Sequence, residues 1–163
     1  MQIKVTQSSK SEAERLRSLR LAALKDAPYA YGAVYEEDKE KPITFWQEWL
    51  AGSNWFFTSA AEGDIGLIGV EKAGADRGSD CWIFGWWIAP TYRGKGVAAL
   101  MLAAIDKFCI ENNWLRQGLG VWPENQRAIN AYLKLGFIDG GKPIPSRSKP
   151  NQLYLPMYRN LSI

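Results

Sequence analysis

Histidine is absent from this 163-residue chain. Its absence excludes Ser-His-Asp and Cys-His catalysis and every metal site built on imidazole. Cysteine is nearly absent as well: Cys81 and Cys109 are the only two, each inside an apolar stretch, and their spacing fits no metal-binding pattern. Both read as buried, reduced thiols. No run of about 18 apolar residues occurs, so no membrane-spanning helix is expected. The opening MQIKVTQSSK has neither the apolar core nor the cleavage pattern of a secretion signal. A cytoplasmic protein without a membrane partner is the expectation. Charge of one sign is also scarce: a net charge of +3 offers no dense basic stripe, so nucleic acid is not an expected partner.

What is present suits a globular α/β domain. Apolar residues make up 47% of the chain, too many for disorder, and its length fits one domain, 1–163, with one core. Alternation predicts a strand over 2–7. Leu16, Leu19, Ala23 and Leu24 recur at helical spacing in SEAERLRSLRLAAL. The tyrosine-rich DAPYAYGAVYEED reads as a long connection, and PITFWQEWLA as a short helix with proline at its start. Strands follow over 54–61 and 65–72, joined by a turn at Glu62-Gly63-Asp64, and over 81–89, ending at Pro90. Val97, Leu100, Met101, Ala104, Ile105 and Phe108 mark an amphipathic helix from Gly96 to about Asn113. A strand over 117–122, a helix over about 125–135 and strands near 137–139 and 152–158 complete the order β-α-α-β-β-β-α-β-α-β-β, an α/β domain with a mixed sheet.

The most informative segment is WWIAPTYRGKGVAALMLAAI. An apolar strand breaks at Pro90, and Arg93-Gly94-Lys95-Gly96 then leads straight into a helix. Glycines let the backbone approach a ligand closely. A helix N-terminus offers unpaired N–H groups and positive potential, which suits a pyrophosphate. Arg93 and Lys95 add charge. Gly94-Lys95-Gly96-Val97-Ala98-Ala99 also fits the dinucleotide fingerprint G-x-G-x-x-G/A. That fingerprint, however, follows its strand at once, whereas four residues intervene here after three hairpin strands.

This segment resembles the Gcn5-related N-acetyltransferase family, whose signature Arg/Gln-x-x-Gly-x-Gly/Ala is matched by Arg93, Gly96 and Ala98. A second segment, VWPENQRAINAYLKLGFIDGG, resembles the family's later motif of Asn, helix, Tyr and Gly-Phe. The resemblance implies a single domain with a mixed, mostly antiparallel central sheet flanked by about four helices. It implies acetyl-coenzyme A as co-substrate, with the N–H groups of Gly94, Lys95, Gly96, Val97 and Ala98 on its pyrophosphate. Trp87, Ile88 and Ala89 would lie along its pantetheine arm, one of their amides polarising the thioester. Asn125 would bond the pantetheine or cap its helix, a position that asparagine favours. Tyr132, seven residues on and therefore on the same helix face, would protonate the departing thiolate.

The match departs from the family where a base is needed. Some members carry a glutamate where Trp82 stands, others where Gly120 stands. Asp80 and Glu124 are near in sequence but read as turn residues, so no base is assigned. Tyr29, Tyr31, Tyr35, Trp46 and Trp49, with Trp82, Trp86 and Trp87 on the central strand, are candidate walls of an acceptor pocket or core filling. The basic stretch 142–149 reads as a surface loop or an attractor for a carboxylate. The expected activity is direct acetyl transfer to a primary amine of a small molecule or peptide. A non-catalytic acyl-coenzyme A sensor of the same fold is the alternative, and a nucleotide-binding oxidoreductase comes third. Final strands with exposed edges would permit a homodimer.

Overall fold

The computed structural model describes residues 2–147, 149 and 151–162; Ser148, in the basic stretch named above, lies outside them. In chain order the elements are β1 (Lys4–Gln7), α1 (Ala13–Asp26), α2 (Tyr35–Asp38), α3 (Ile43–Gly52), β2 (Asn54–Ala60), β3 (Gly63–Lys72), β4 (Cys81–Ile88), α4 (Val97–Glu111), β5 (Arg116–Val121), α5 (Gln126–Lys134), β6 (Ile138–Asp139), β7 (Ile144–Pro145) and β8 (Leu153–Asn160). Among the described residues there are five α-helices, the additional one being the single-turn α2, which follows a turn at Pro28–Ala30 in the tyrosine-rich connection. Two paired residues, β7, are a further addition. Among the described residues, no helix is long and apolar enough to cross a membrane.

The chain packs as two compact units. The first holds the residues up to Val70 together with Gly85–Ile105. In it β1 pairs antiparallel with β2, and β2 with β3, the register slipping between Thr58 and Ser59. The helical spacing of α1 translates directly into burial, with Leu16, Leu19, Ala23 and Leu24 all under 5% exposed. Trp46 and Trp55 are fully buried, and Trp49 meets Trp55 edge-on at 5.0 Å. Pro42 stands just before α3 as its N-terminal boundary residue.

The second unit holds Glu71–Phe84 and the residues from Asp106 on. Here β4 pairs parallel with β5 over Cys81–Ile83 only, β5 pairs antiparallel with β8, and β6 and β7 both lie antiparallel on β8. The described pairings are therefore mixed and mostly antiparallel, as expected. Cys81 and Cys109 are free, fully buried thiols whose sulfurs lie 3.6 Å apart. Fully buried Gln117 donates to Asp106 at 2.7 Å, and Arg159 donates to both Asp106 and Gln117. Each buried polar group in this network thus has a partner, as a low-dielectric interior requires.

One backbone feature shapes the centre of β4. Gly85 has φ +61°, and a Cβ there would lie 2.7 Å from Cη2 of Trp55. The positive φ interrupts the alternation of side chains, so Trp82, Trp86 and Trp87 do not follow a simple two-residue repeat. Trp82 and Trp87 are buried, while Gly85 and Trp86 are half-exposed. Gly85→Ala combines left-handed strain with overpacking and should lower unfolding stability by about 2–4 kcal/mol in urea titrations. A loss below about 1 kcal/mol would show that strand and Trp55 relax together.

Candidate functional site

The strand-to-helix passage in the first unit is built from backbone upward. After Ile88 comes a tight turn over Pro90–Tyr92, and Arg93 is extended. Gly94 and Gly96 then take φ of +73° and +81°. A Cβ on either glycine would meet nothing within 4 Å. The torsion, not crowding, therefore demands glycine, and the space in front of the loop is open. Gly94, Lys95 and Gly96 are exposed, whereas Val97 is buried and anchors the first turn of α4. The first backbone bond of that helix runs from Leu100 N–H to Gly96 O at 3.3 Å. The N–H groups before it lack intrahelical acceptors and are grouped at the helix's positive end. A cavity of about 500 Å³ lies between the β2–β3 turn and the Pro90–Tyr92 turn, lined by Ala60, Ala61, Glu62, Thr91, Tyr92 and Lys95 with Gln2, and Lys95 is the loop residue that reaches it.

Side chains brace this passage. Trp87 donates its indole N–H to Asp26 at 2.9 Å, and Arg93 donates to the same carboxylate oxygen at 2.5 Å. Arg93 also donates through Nε to Ile88 O at 2.9 Å, and Tyr31 donates its hydroxyl to Trp86 O at 2.8 Å. Burial works to raise the Asp26 carboxyl, but the bonds from Trp87 and Arg93 outweigh it and hold the group below its ordinary value. The Arg93 guanidinium is thus committed to Asp26 and to the strand end, which leaves Lys95 as the exposed cation of the loop. Tyr92 donates its hydroxyl to Glu62.

In the second unit, α5 carries the other two expected residues. Asn125 caps it, its side-chain oxygen accepting from Ala128 N–H at 3.2 Å. The cap consumes the oxygen but not the amide donors. At the other end Phe137 N–H donates to Tyr132 O and Gly136 N–H to Leu133 O, with Gly136 at φ +98°. This pair of bonds is the glycine-dependent closure of a helix C-terminus. It fixes the Tyr132 backbone, and the Phe137 ring meets that of Tyr132 edge-on at 6.0 Å. Tyr132 keeps some surface exposure as a residue, yet its phenol is densely surrounded, and this burial pushes its pKa up to about 12.

The structure therefore gathers Trp87, Ile88, Ala89, Arg93, Gly94, Lys95, Gly96, Val97 and Ala98 in one passage of the first unit. Asn125 and Tyr132 share α5 of the second. Asp80 accepts from the N–H groups of Leu115 and Arg116, both at 2.8 Å, which makes it the anchor of β5. Trp82 is buried under the Arg77 guanidinium, and a Cβ on Gly120 would press on Tyr154 at 3.0 Å. Trp46 is core, not a pocket wall, since it has no exposed surface. Sequence reasoning missed Asp26. Its signal was faint: a carboxylate on the last residue of a helix, where the dipole disfavours it.

The raised Tyr132 pKa has a definite sign. A phenol whose folded pKa exceeds the ordinary 10.0 contributes stability that is complete below pH 10 and lost as pH rises towards about 12. Phenolate absorbance of the wild type minus that of Tyr132→Phe should stay near zero at pH 10 and grow only above it. A difference already half complete at pH 10 would contradict the burial of the phenol.

Comparisons with known proteins agree with this geometry. Over its whole length the chain resembles an acetyltransferase of the GNAT family from Streptococcus pneumoniae, with TM-score 0.75, 15% identity, and coverage of 99% of this chain and 100% of that one. The PaiA N-acetyltransferase of Thermoplasma acidophilum, solved with coenzyme A, gives TM-score 0.74 at 17% identity, covering 98% and 99%. The Salmonella typhimurium protein YncA, solved with its cofactor acetyl-CoA, gives 0.75 at 13%, covering 100% and 96%. No curated protein matches the chain. At these identities the solved structures establish the fold, and the sequence itself matches the acetyltransferase (GNAT) family model over residues 16–137. The match takes in the strand, glycine loop and helix described above, and the chain belongs to the acetyltransferase (GNAT) family.

Proposed function

We propose that residues 1–163 act as one catalytic domain, an acetyl-coenzyme A dependent N-acetyltransferase that moves an acetyl group directly to a primary amine of a small molecule or peptide. The observation that carries this reading is the pair of positive-φ glycines, Gly94 and Gly96, which open the N-terminus of α4 to an anion. That two structural neighbours hold acetyl-CoA or coenzyme A supports the choice of co-substrate. When bound, acetyl-coenzyme A supplies the activated acetyl group.

The chain's own residues take the remaining roles. Backbone N–H groups of Gly94, Lys95, Gly96, Val97 and Ala98 hold the pyrophosphate, with Lys95 adding charge. The end of β4, Trp87 to Ala89, lies along the pantetheine, and of its N–H groups that of Ile88 polarises the thioester carbonyl, because Ala89 N–H already donates to Ile65 O. Asn125 has amide donors left for the pantetheine beside its capping role. Tyr132 gives its proton to the departing sulfur. What supports this role is its place in the Asn…Tyr…Gly-Phe motif and a phenol that remains protonated well above neutral pH. With a phenol at about 12 and a thiol near 8.5, the transfer is uphill by about 5 kcal/mol before the site adjusts either group. The burial that raises the phenol penalises a thiolate too, which narrows that gap.

An amine of pKa about 10.4 is only about 0.1% neutral at pH 7.4, a cost near 4 kcal/mol. By the family resemblance Trp82 and Gly120 stand where some members carry a glutamate, and no side chain is assigned as the base. The same two residues favour the second reading, a non-catalytic acyl-coenzyme A sensor. Exposed Ile138 and Leu153 on the late strands support pairing into a homodimer.

Thiol release from acetyl-coenzyme A with a panel of amines separates the two readings. Tyr132→Phe should lower turnover on the order of a hundredfold with coenzyme affinity almost intact. Unchanged turnover removes the acid role. Wild-type binding without thiol release from any amine favours the sensor.

A further inference from the structure

Asp26 stands where its own helix disfavours it. It is the last residue of α1, at the end where peptide dipoles repel a carboxylate. Two donors hold it there, the Trp87 indole and the Arg93 guanidinium. Both belong to the passage that the proposed function assigns to the coenzyme, and the inference rests on that reading.

The strand end shows what the arrangement accomplishes. Successive residues of a strand turn their backbone groups to opposite edges. Ala89 N–H donates to Ile65 O at 2.7 Å, and Trp87 O lies 2.8 Å from the position of a Cβ on Gly66. Residues 87 and 89 therefore face β3, and Trp86 and Ile88 face the opposite edge. On that edge both carbonyls are capped by side chains, Trp86 O by Tyr31 and Ile88 O by Arg93. With its carbonyls occupied, the edge meets a ligand chiefly through N–H donors. A thioester and two amides present carbonyl oxygens, which call for donors.

We infer that Asp26 is a positioning residue: by gripping Arg93 and Trp87 it keeps the Ile88 carbonyl capped and sets the outer edge of β4 as a donor surface for the acyl-pantetheine arm. Arg93 acts through this contact and not as a phosphate ligand. The positive charge at the loop is supplied by Lys95 and by the helix N-terminus.

Calorimetric binding of acetyl-coenzyme A and steady-state kinetics test the assignment together. Asp26→Asn keeps an oxygen for Trp87 and removes the charge that holds Arg93, so coenzyme affinity should fall about tenfold. The loss should appear in the coenzyme KM and not in the KM for the amine. Asp26→Glu should restore part of it. Adding Arg93→Met to Asp26→Asn should cost little more, because one contact is removed twice. Asp64→Asn, which breaks the ion pair with Arg15 in the same unit, should leave affinity unchanged. Unchanged or tighter binding by Asp26→Asn, or additive losses in the double variant, would overturn the inference alone. A wild type that binds no acetyl-coenzyme A would overturn the functional reading and this inference with it.

Discussion

An α-helix leaves its first N–H groups without partners, and most helices spend that deficit on a capping side chain or on water. In α4 two glycines at φ +73° and +81° carry the backbone around so that these groups end an exposed, open loop. Buried Val97 pins the helix, and the turn over Pro90–Tyr92 delivers the chain from β4 at the right place. The polar groups nearby serve this passage. Asp26 binds Trp87 and Arg93, Arg93 binds the end of β4, and Tyr31 binds the residue before Trp87.

In the second unit the same economy governs α5. One end is closed by the Asn125 cap, the other by the bonds of Gly136 and Phe137, so Tyr132 sits on a short helix fixed at both termini. The glycine and phenylalanine of the motif are therefore read as the means of holding the tyrosine. Nearby, Asp106, Gln117 and Arg159 form a satisfied polar cluster, and Cys81 and Cys109 fill space as thiols.

The elements that local sequence controls were legible. Helical spacing located α1 and α4 within a few residues, and Arg93-Gly94-Lys95-Gly96 announced the helix start because glycine torsions and apolar periodicity are local properties. What depends on distant partners was not. Leu100 fits the apolar pattern of α4 yet is 49% exposed, and Trp46 resembles a pocket wall yet has no exposed surface. Gly85 gives no warning of its positive φ until Trp55, thirty positions earlier, is packed against it. The commitment of Arg93 to Asp26 spans 67 positions. β7 is only two residues, Ile144 and Pro145, too short to read as a strand until β8 lies beside it. α2 is a single turn within a segment whose glycine and proline signal a loop.

The proposed chemistry depends above all on the loop at Gly94 and Gly96 holding a coenzyme A pyrophosphate. The direct measurement is calorimetric titration of the purified protein with acetyl-coenzyme A, with a nicotinamide dinucleotide in parallel. Acetyl-coenzyme A should bind with micromolar affinity and the dinucleotide should not bind. Failure to bind acetyl-coenzyme A, or preference for the dinucleotide, would contradict the proposed chemistry.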